Sequence, residues 1–190
     1  MNRDQAYTTL QNLIKNPNLL KHHLSTEAAM RAIGTYLKNK QDPTIEIEDW
    51  GITGLLHDAD YELCRDHPEK HTIILEEKIG KDLKPEIMYA IKSHNWAHNK
   101  VEPKSLMDWA IFCGDSLTGL IVASALVLPS KQLKDVTPQT VLKRFKEKSF
   151  ARGTRREEIA MCEERLGLTL EAFISVSLAS MQLHHEEIGL

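Results

Sequence analysis

The sequence places a histidine and an aspartate side by side, His57-Asp58, at the end of the apolar stretch from Trp50 to Leu56. A neutral imidazole nitrogen and a carboxylate oxygen are ligands that Mn²⁺, Fe²⁺ and Zn²⁺ accept. Neighbouring side chains on a helix point about 100° apart, so two adjacent ligands can face one ion that lies between their directions. The other ligands must then come from helices packed alongside. The pair therefore indicates a divalent metal site.

Asp115 is the second residue whose setting points to a cation. It follows the apolar run from Trp109 to Cys113, and an aspartate inside an apolar helix is costly unless it is paired or bound to a cation. The alternative is a buried aspartate that the hydroxyls of Ser116 or Thr118 satisfy. We expect Asp115 to be a metal ligand.

Two adjacent histidines upstream compete for one ligand position. His22 shares a helix face with three residues at the fourth, seventh and eleventh positions after it, namely Thr26, Ala29 and Ile33. That face is predicted to look inward. His23 is rotated off it, so we prefer His22 as the ligand and keep His23 as the alternative.

His22, then His57-Asp58, then Asp115 resembles the H…HD…D pattern of the HD-domain metal-dependent phosphohydrolase superfamily. The resemblance covers roughly residues 19–128 and is nearest to the small stand-alone HDIG-type bacterial proteins, although Ala59-Asp60 stands where that name implies Ile-Gly. It implies that these four residues hold one divalent metal ion. It also implies that His71 and His94, with Asp58 as a bridge, complete a second site if a second ion (Mn, Fe or Zn) is present.

Other polar residues near these positions are candidates for catalysis or substrate binding. Beside Asp58, the carboxylates of Asp60 and Glu62 could position or deprotonate the attacking water. Lys92 flanks His94, and a basic stretch that contains Lys148, Arg152, Arg155 and Arg156 follows later in the chain. We expect Lys92, Lys148 and Arg152 to bind substrate phosphate, the alternative being a solvated charged face.

The resemblance implies hydrolysis of a phosphomonoester or phosphodiester in a small molecule, a nucleotide being one candidate. A divalent ion polarises a phosphoryl oxygen and lowers the pKa of bound water. Two alternatives use the same residues. One is a di-iron oxygenase of the same superfamily, which needs all six ligands, and the other is a non-catalytic module that binds a metal or a nucleotide.

The composition limits where such a protein works. The net charge of −3 gives no global basic field, which argues against nucleic acid as the partner. Cys64, Cys113 and Cys162 are odd in number and far apart, so neither a disulfide framework nor a thiolate zinc site is expected. The N-terminus is polar, and the apolar segment from Leu117 to Leu128 is too short to span a bilayer, so no membrane partner is expected. We therefore predict a cytoplasmic protein. A homodimer is left open.

Apolar residues recur at spacings of three and four along most of the chain, which predicts an all-α fold. We expect an HD-domain-like bundle of about seven to nine helices in one domain over residues 1–190. Its metal-site core would cover about 19–128, with helices over 137–187 packed on it. Ser105 with Asp108 reads as a capping box, Thr137-Pro138 as a helix start, and Asn18 as the cap of the helix that carries His22.

Overall fold

Helices make up all of the regular secondary structure of this chain, which confirms the all-α prediction. The computed structural model describes residues 1–190 and contains no strand. Eight of the helices have seven residues or more, and the other four are single turns of four or five. In chain order they are α1 (Arg3–Leu13), α2 (Pro17–Lys40), α3 (Ile47–Leu56), α4 (Ile73–Ile79), α5 (Pro85–His94), α6 (Trp96–Asn99), α7 (Leu106–Leu126), α8 (Pro138–Lys146), α9 (Arg156–Ala160), α10 (Cys162–Leu166), α11 (Leu170–Leu183) and α12 (His185–Ile188).

Local capping signals explain where several of these helices begin. Ser105 and Asp108 form the predicted capping box at the start of α7, each side chain accepting the other residue's backbone N–H. Pro138 takes the first position of α8, as predicted. The prediction for Asn18 was wrong, because Asn16 caps α2 and Pro17 takes its first position, where the missing N–H of proline costs nothing.

Helix α2 lies at the centre of the molecule and packs against α3, α7 and α11. The core is one cluster of 43 buried apolar residues that runs from Ala6 to Ile188. Gly54 in α3 lets the backbones of α2 and α3 approach closely, since a Cβ atom at this position would lie 2.6 Å from the carbonyl oxygen of Thr26. This close contact brings the end of α3, and with it His57, beside His22 on α2.

Helix α7 begins at Leu106, directly after the predicted capping box, and ends at Leu126, so the apolar segment from Leu117 to Leu128 forms most of its second half. The helix spans 21 residues, and by length and composition alone it could cross a membrane. However, 67% of its most apolar window is buried inside the protein, where it packs against α2 and α5. A core helix has this property, and Asp115 is a partly buried residue of this helix that reaches the surface only at a cleft.

Arg156 fixes the loop that connects α8 to α9. Its guanidinium group donates hydrogen bonds to five backbone carbonyls around it, those of Arg144, Phe145, Glu147, Phe150 and Thr154. The carbonyls of Arg144, Glu147 and Thr154 also accept a backbone N–H, whereas those of Phe145 and Phe150 do not, so this side chain satisfies them and ties the end of α8 to the loop. The loop carries Arg152 and Arg155 toward the site described next.

Candidate metal centre

The fold brings together all six predicted metal ligands from five different segments. His22 lies on α2, His57-Asp58 directly follows α3, and His71 precedes α4. His94 is the last residue of α5 and Asp115 lies in the middle of α7. Their ligand atoms form two groups that share Asp58.

The first group contains His22, His57, Asp58 and Asp115, whose ligand atoms all lie within 4.8 Å of one another. His22 Nε2 lies 3.1 Å from Asp115 Oδ1 and 3.1 Å from His57 Nε2. His57 Nε2 lies 3.6 Å from Asp58 Oδ2. Four donors this close can surround one ion and leave positions open on a six-coordinate metal.

The second group contains Asp58, His71 and His94. The Nε2 atoms of the two histidines lie 3.0 Å apart, and they lie 3.0 and 3.1 Å from Asp58 Oδ1. Asp58 therefore turns one oxygen toward each group, which is the position of a bridging carboxylate.

The hydrogen bonds of the histidines show why a cation fits here. His57 Nδ1 contacts the carbonyl oxygen of Gly54 and His94 Nδ1 that of Ile91. Because a carbonyl only accepts, each Nδ1 must carry the hydrogen, and in the neutral ring Nε2 then presents a lone pair. The lone pair on His94 Nε2 lies 3.0 Å from Nε2 of His71, whose Nδ1 already donates to Asp60, so a further proton or a metal ion is needed between these two nitrogens. The His57 lone pair lies 3.1 Å from Nε2 of His22, where either a hydrogen on a neutral His22 or a metal ion satisfies it.

Asp58 and Asp115 remain anionic despite their surroundings. Burial by itself would raise the pKa of both carboxyls, but the surrounding imidazoles outweigh it and hold each pKa well below its usual range. For His71, burial works against the charged form, while hydrogen bonds to Asp58 and Asp60 raise its pKa to about 10. Burial lowers the pKa of His94. The site thus combines anionic oxygens with imidazoles, and a proton on His71 can take the place of a cation.

Asp60, which we predicted to act on water, lies outside both ligand groups and is fully buried. Its Oδ1 accepts a hydrogen bond from His71 Nδ1 at 2.7 Å, and its Oδ2 accepts the backbone N–H groups of Thr72 and Leu75. With both oxygens engaged, Asp60 orients the His71 ring and caps α4 rather than facing water. This is the role of a carboxylate behind a histidine ligand.

Glu62 was the other predicted carboxylate, and the structure places it elsewhere as well. Its Oε2 accepts the backbone N–H groups of Lys15 and Asn16 in the turn between α1 and α2. It does not line the cleft over the ligands. The reason is that the chain leaves the helix after His57 and forms irregular turns, so helical spacing from Asp58 no longer applies.

Two of the three predicted phosphate-binding residues do not reach the site. Lys92 pairs with Glu76 at 2.7 Å and faces a different groove. Lys148 is exposed and lines no cleft around the ligands. Arg152 does line a cleft beside His22 and Asp115.

Two neighbouring pockets border the candidate ligands, with His57 lining neither, and we describe them as the two lobes of one cleft. We call the one of about 340 Å³ beside His71 and His94 the histidine lobe, and the one of about 410 Å³ beside His22 and Arg152 the loop lobe. Asp115 and Arg155 line both. We grouped Arg155 with its basic stretch but did not select it for the site.

Arg155 binds directly to a ligand of the first group. Its Nη2 lies 2.8 Å from Asp115 Oδ2, and its Nε lies 2.8 Å from Glu158 Oε2. The first contact leaves Asp115 Oδ1 facing His22. Arg155 therefore positions a ligand and also presents charge to the cleft. In the sequence Arg155 is one of several basic residues in a polar stretch, and no feature of that stretch distinguishes it from the others.

His23 and Cys64 lie near the ligands without joining either group. His23 is fully buried, and its Nδ1 contacts the carbonyl oxygen of Leu55, whereas His22 is partly exposed and belongs to the first group. The expectation that His22 lies on the more buried face of the helix was wrong. Cys64 approaches Asp60 and His71, but burial together with nearby carboxylates raises its pKa to about 11. It remains a thiol, which is a poor metal ligand.

Comparisons of the chain with protein-family models, with curated proteins and with solved structures return no match.

Proposed function

We propose that this chain is a metal-dependent phosphohydrolase of the HD-domain type, acting on a phosphorylated small molecule. Residues His22, His57, Asp58 and Asp115 would hold one divalent ion, and Asp58, His71 and His94 a second. The proposal rests on one observation: the two carboxylate oxygens of Asp58 face two separate ligand groups. A carboxylate shared in this way is suited to two ions that act on one substrate.

The lining of the cleft supports a phosphorylated substrate. Apart from Asp58 and Asp115, no carboxylate lines either lobe, whereas Arg65, Arg152 and Arg155 do. Guanidinium groups bind phosphate oxygens through paired, charge-assisted hydrogen bonds. An anionic substrate is therefore favoured over a neutral one.

Bound divalent ions would supply Lewis-acid stabilisation of the phosphoryl oxygens and would lower the pKa of water. The chain's own residues supply the rest. Asp60 holds His71 in the orientation that aims Nε2 at Asp58. Arg155 holds Asp115 in the corresponding way and adds a positive charge where negative charge develops on the phosphoryl group. Since Asp60 and Glu62 are both engaged elsewhere, neither is proposed as the base.

The proposal is tested by metal analysis and substrate screening on the purified chain. Inductively coupled plasma mass spectrometry gives the metal content, and a panel of phosphomonoesters and phosphodiesters gives the activity. Asp58→Ala should lose turnover, while Asp66→Ala, an exposed aspartate in the same segment, should retain it. Equal turnover by Asp58→Ala would remove the hypothesis, and ligand binding without product would favour the non-catalytic module.

A di-iron oxygenase is the second candidate, because all six ligands that it needs are in place. It differs in its requirement for iron and oxygen. Oxygen uptake by the iron-loaded chain would favour it, whereas turnover of a phosphate ester by the manganese- or zinc-loaded chain without oxygen would exclude it. The arginine-lined cleft favours the phosphohydrolase.

A further inference from the structure

Arg65 and Arg152 differ from every other arginine of the chain, because neither makes a salt bridge or a hydrogen bond with another residue. The others are all engaged: Arg3, Arg31, Arg144, Arg155 and Arg165 pair with carboxylates, and Arg156 donates to backbone carbonyls. Side chains of both Arg65 and Arg152 are exposed. Two unpaired guanidinium groups are therefore free to bind an anion.

The two unpaired arginines lie in different lobes. Arg65 lines the histidine lobe together with the second ligand group, and Arg152 lines the loop lobe together with His22, while Asp115 and Arg155 line both lobes. Arg155 cannot take over either role by swinging outward, because Asp115 and Glu158 hold its Nη2 and Nε atoms. Each lobe therefore holds one unpaired guanidinium group, and Arg155 lies beside Asp115 at the boundary between them.

From this arrangement we infer the class of substrate, an inference that rests on the proposed phosphohydrolase function. The substrate carries an anionic group on each side of the phosphoryl group that reacts, one against Arg65 and one against Arg152. Such a substrate is an internal phosphoanhydride, or a phosphodiester with charged groups on both sides, rather than a simple phosphomonoester. In its hydrolysis water gives its hydroxyl to phosphorus and its proton to the departing bridging oxygen, so the bond count balances without another reactant.

Neutral polar groups in the loop lobe agree with this assignment. Ser116 and Thr154 offer hydroxyl groups, and Gly119 and Gly153 leave space, since a Cβ atom at either glycine would meet no other atom within 4 Å. Neither lobe places a carboxylate opposite its unpaired arginine except the ligands themselves. An anionic group can therefore enter each lobe without like-charge repulsion from a side chain outside the ligand groups.

The test compares tripolyphosphate, whose central phosphoryl group has an anionic neighbour on each side, with orthophosphate. Binding of both to the metal-loaded chain is measured by isothermal titration calorimetry, with the metal content checked after titration. Arg65→Ala and Arg152→Ala should each weaken tripolyphosphate binding about tenfold and orthophosphate binding less than twofold. The double variant should lose about 100-fold, because the two arginines lie in separate lobes.

Lys148→Ala is the control, since Lys148 is an exposed, unpaired cation that lines neither lobe, and it should bind both anions as the unaltered chain does. The inference would be overturned if only one of the two arginine variants lost affinity for tripolyphosphate, or if tripolyphosphate and orthophosphate lost affinity equally. Because binding is read without turnover, a chain that hydrolyses nothing but shows the expected pattern would refute the phosphohydrolase proposal and leave the two anion positions supported.

Discussion

His71 donates a hydrogen bond from Nδ1 to Oδ1 of Asp60 across 2.7 Å, and Asp60 is buried completely. The other oxygen of Asp60 accepts two backbone N–H groups at the start of α4. One carboxylate thus fixes both a ligand ring and the helix that follows it. The geometry of the second ligand group therefore depends on a residue that does not belong to it.

Asp60→Asn should weaken metal binding at the second group about 10–100-fold, because the His71 ring loses its anionic acceptor. It should also lower the free energy of unfolding by about 1–3 kcal/mol, since an amide cannot accept all three hydrogen bonds. Calorimetric metal titration and urea unfolding measure the two effects, with Asp66→Asn as control. Loss of turnover with normal metal affinity would instead restore Asp60 as a catalytic base.

The shared position of Asp58 predicts different metal losses for two aspartate variants. Asp58→Ala should lower the metal content at both ligand groups, because each group loses an oxygen. Asp115→Ala should lower it at the first group only, since Asp115 lies outside the second. Metal titration of each variant tests this, and loss of a single ion by Asp58→Ala would show that this carboxylate does not bridge.

Metal binding should grow stronger as pH rises. In the metal-free chain the pKa of His71 is raised to about 10, so its ring carries a proton at neutral pH, while a metal needs the neutral nitrogen. An ion that binds to the second ligand group must displace that proton. Release of one proton by His71 should make the apparent association constant for the metal rise about tenfold per pH unit between pH 6 and 9. Calorimetry at pH 7.5 in buffers of different ionisation enthalpy counts the protons, and a binding heat independent of buffer would contradict the prediction.

Gly54→Ala should destabilise the fold by about 1–3 kcal/mol, because the added methyl group would overlap the backbone of α2 at Thr26. Metal affinity at the first ligand group should fall as well, since the contact between α2 and α3 sets His57 beside His22. Gly119→Ala in α7 is the matched control: nothing lies within 4 Å of its Cβ position, so better helix propensity should stabilise the chain by about 0.5–1 kcal/mol. Thermal unfolding of both variants distinguishes a steric clash at Gly54 from the general effect of replacing a helical glycine with alanine.

Three of the six clustered residues could be predicted from local patterns in the sequence, whereas His71 and His94 were expected only because of the family resemblance. Asp115 interrupts an apolar helix, and His57-Asp58 ends an apolar stretch, so burial and charge conflict at both places. Helical spacing did not separate His22 from His23 correctly, because the face expected to look inward leaves His22 partly exposed while His23 is fully buried. It does exclude Lys92, because a residue two positions before His94 points about 200° away from it on the same helix.

Asp60 and Arg155 could not be assigned from the sequence, because their contacts depend on tertiary structure. Asp60 binds backbone groups beyond a loop in which Thr72 adopts a left-handed conformation, with φ at 71°, and no residue pattern there predicts that turn. Arg155 reaches Asp115 from the end of the loop before α9, and Arg156 organises that loop. Helical periodicity describes neither connection.

Arg156 gives the wall of the loop lobe a different sensitivity to acid from that of the ligands. A guanidinium keeps its charge at every pH a protein experiences, and the carbonyls that it holds do not titrate. Acidification would therefore protonate the imidazoles and release any bound cation, and it would also weaken the hold of Glu158 on Arg155, since burial raises the pKa of Glu158 to about 7, while the backbone that Arg156 holds kept its shape. A chain inactivated at low pH should regain its function on neutralisation once metal is resupplied, without having to rebuild the surface that receives the substrate.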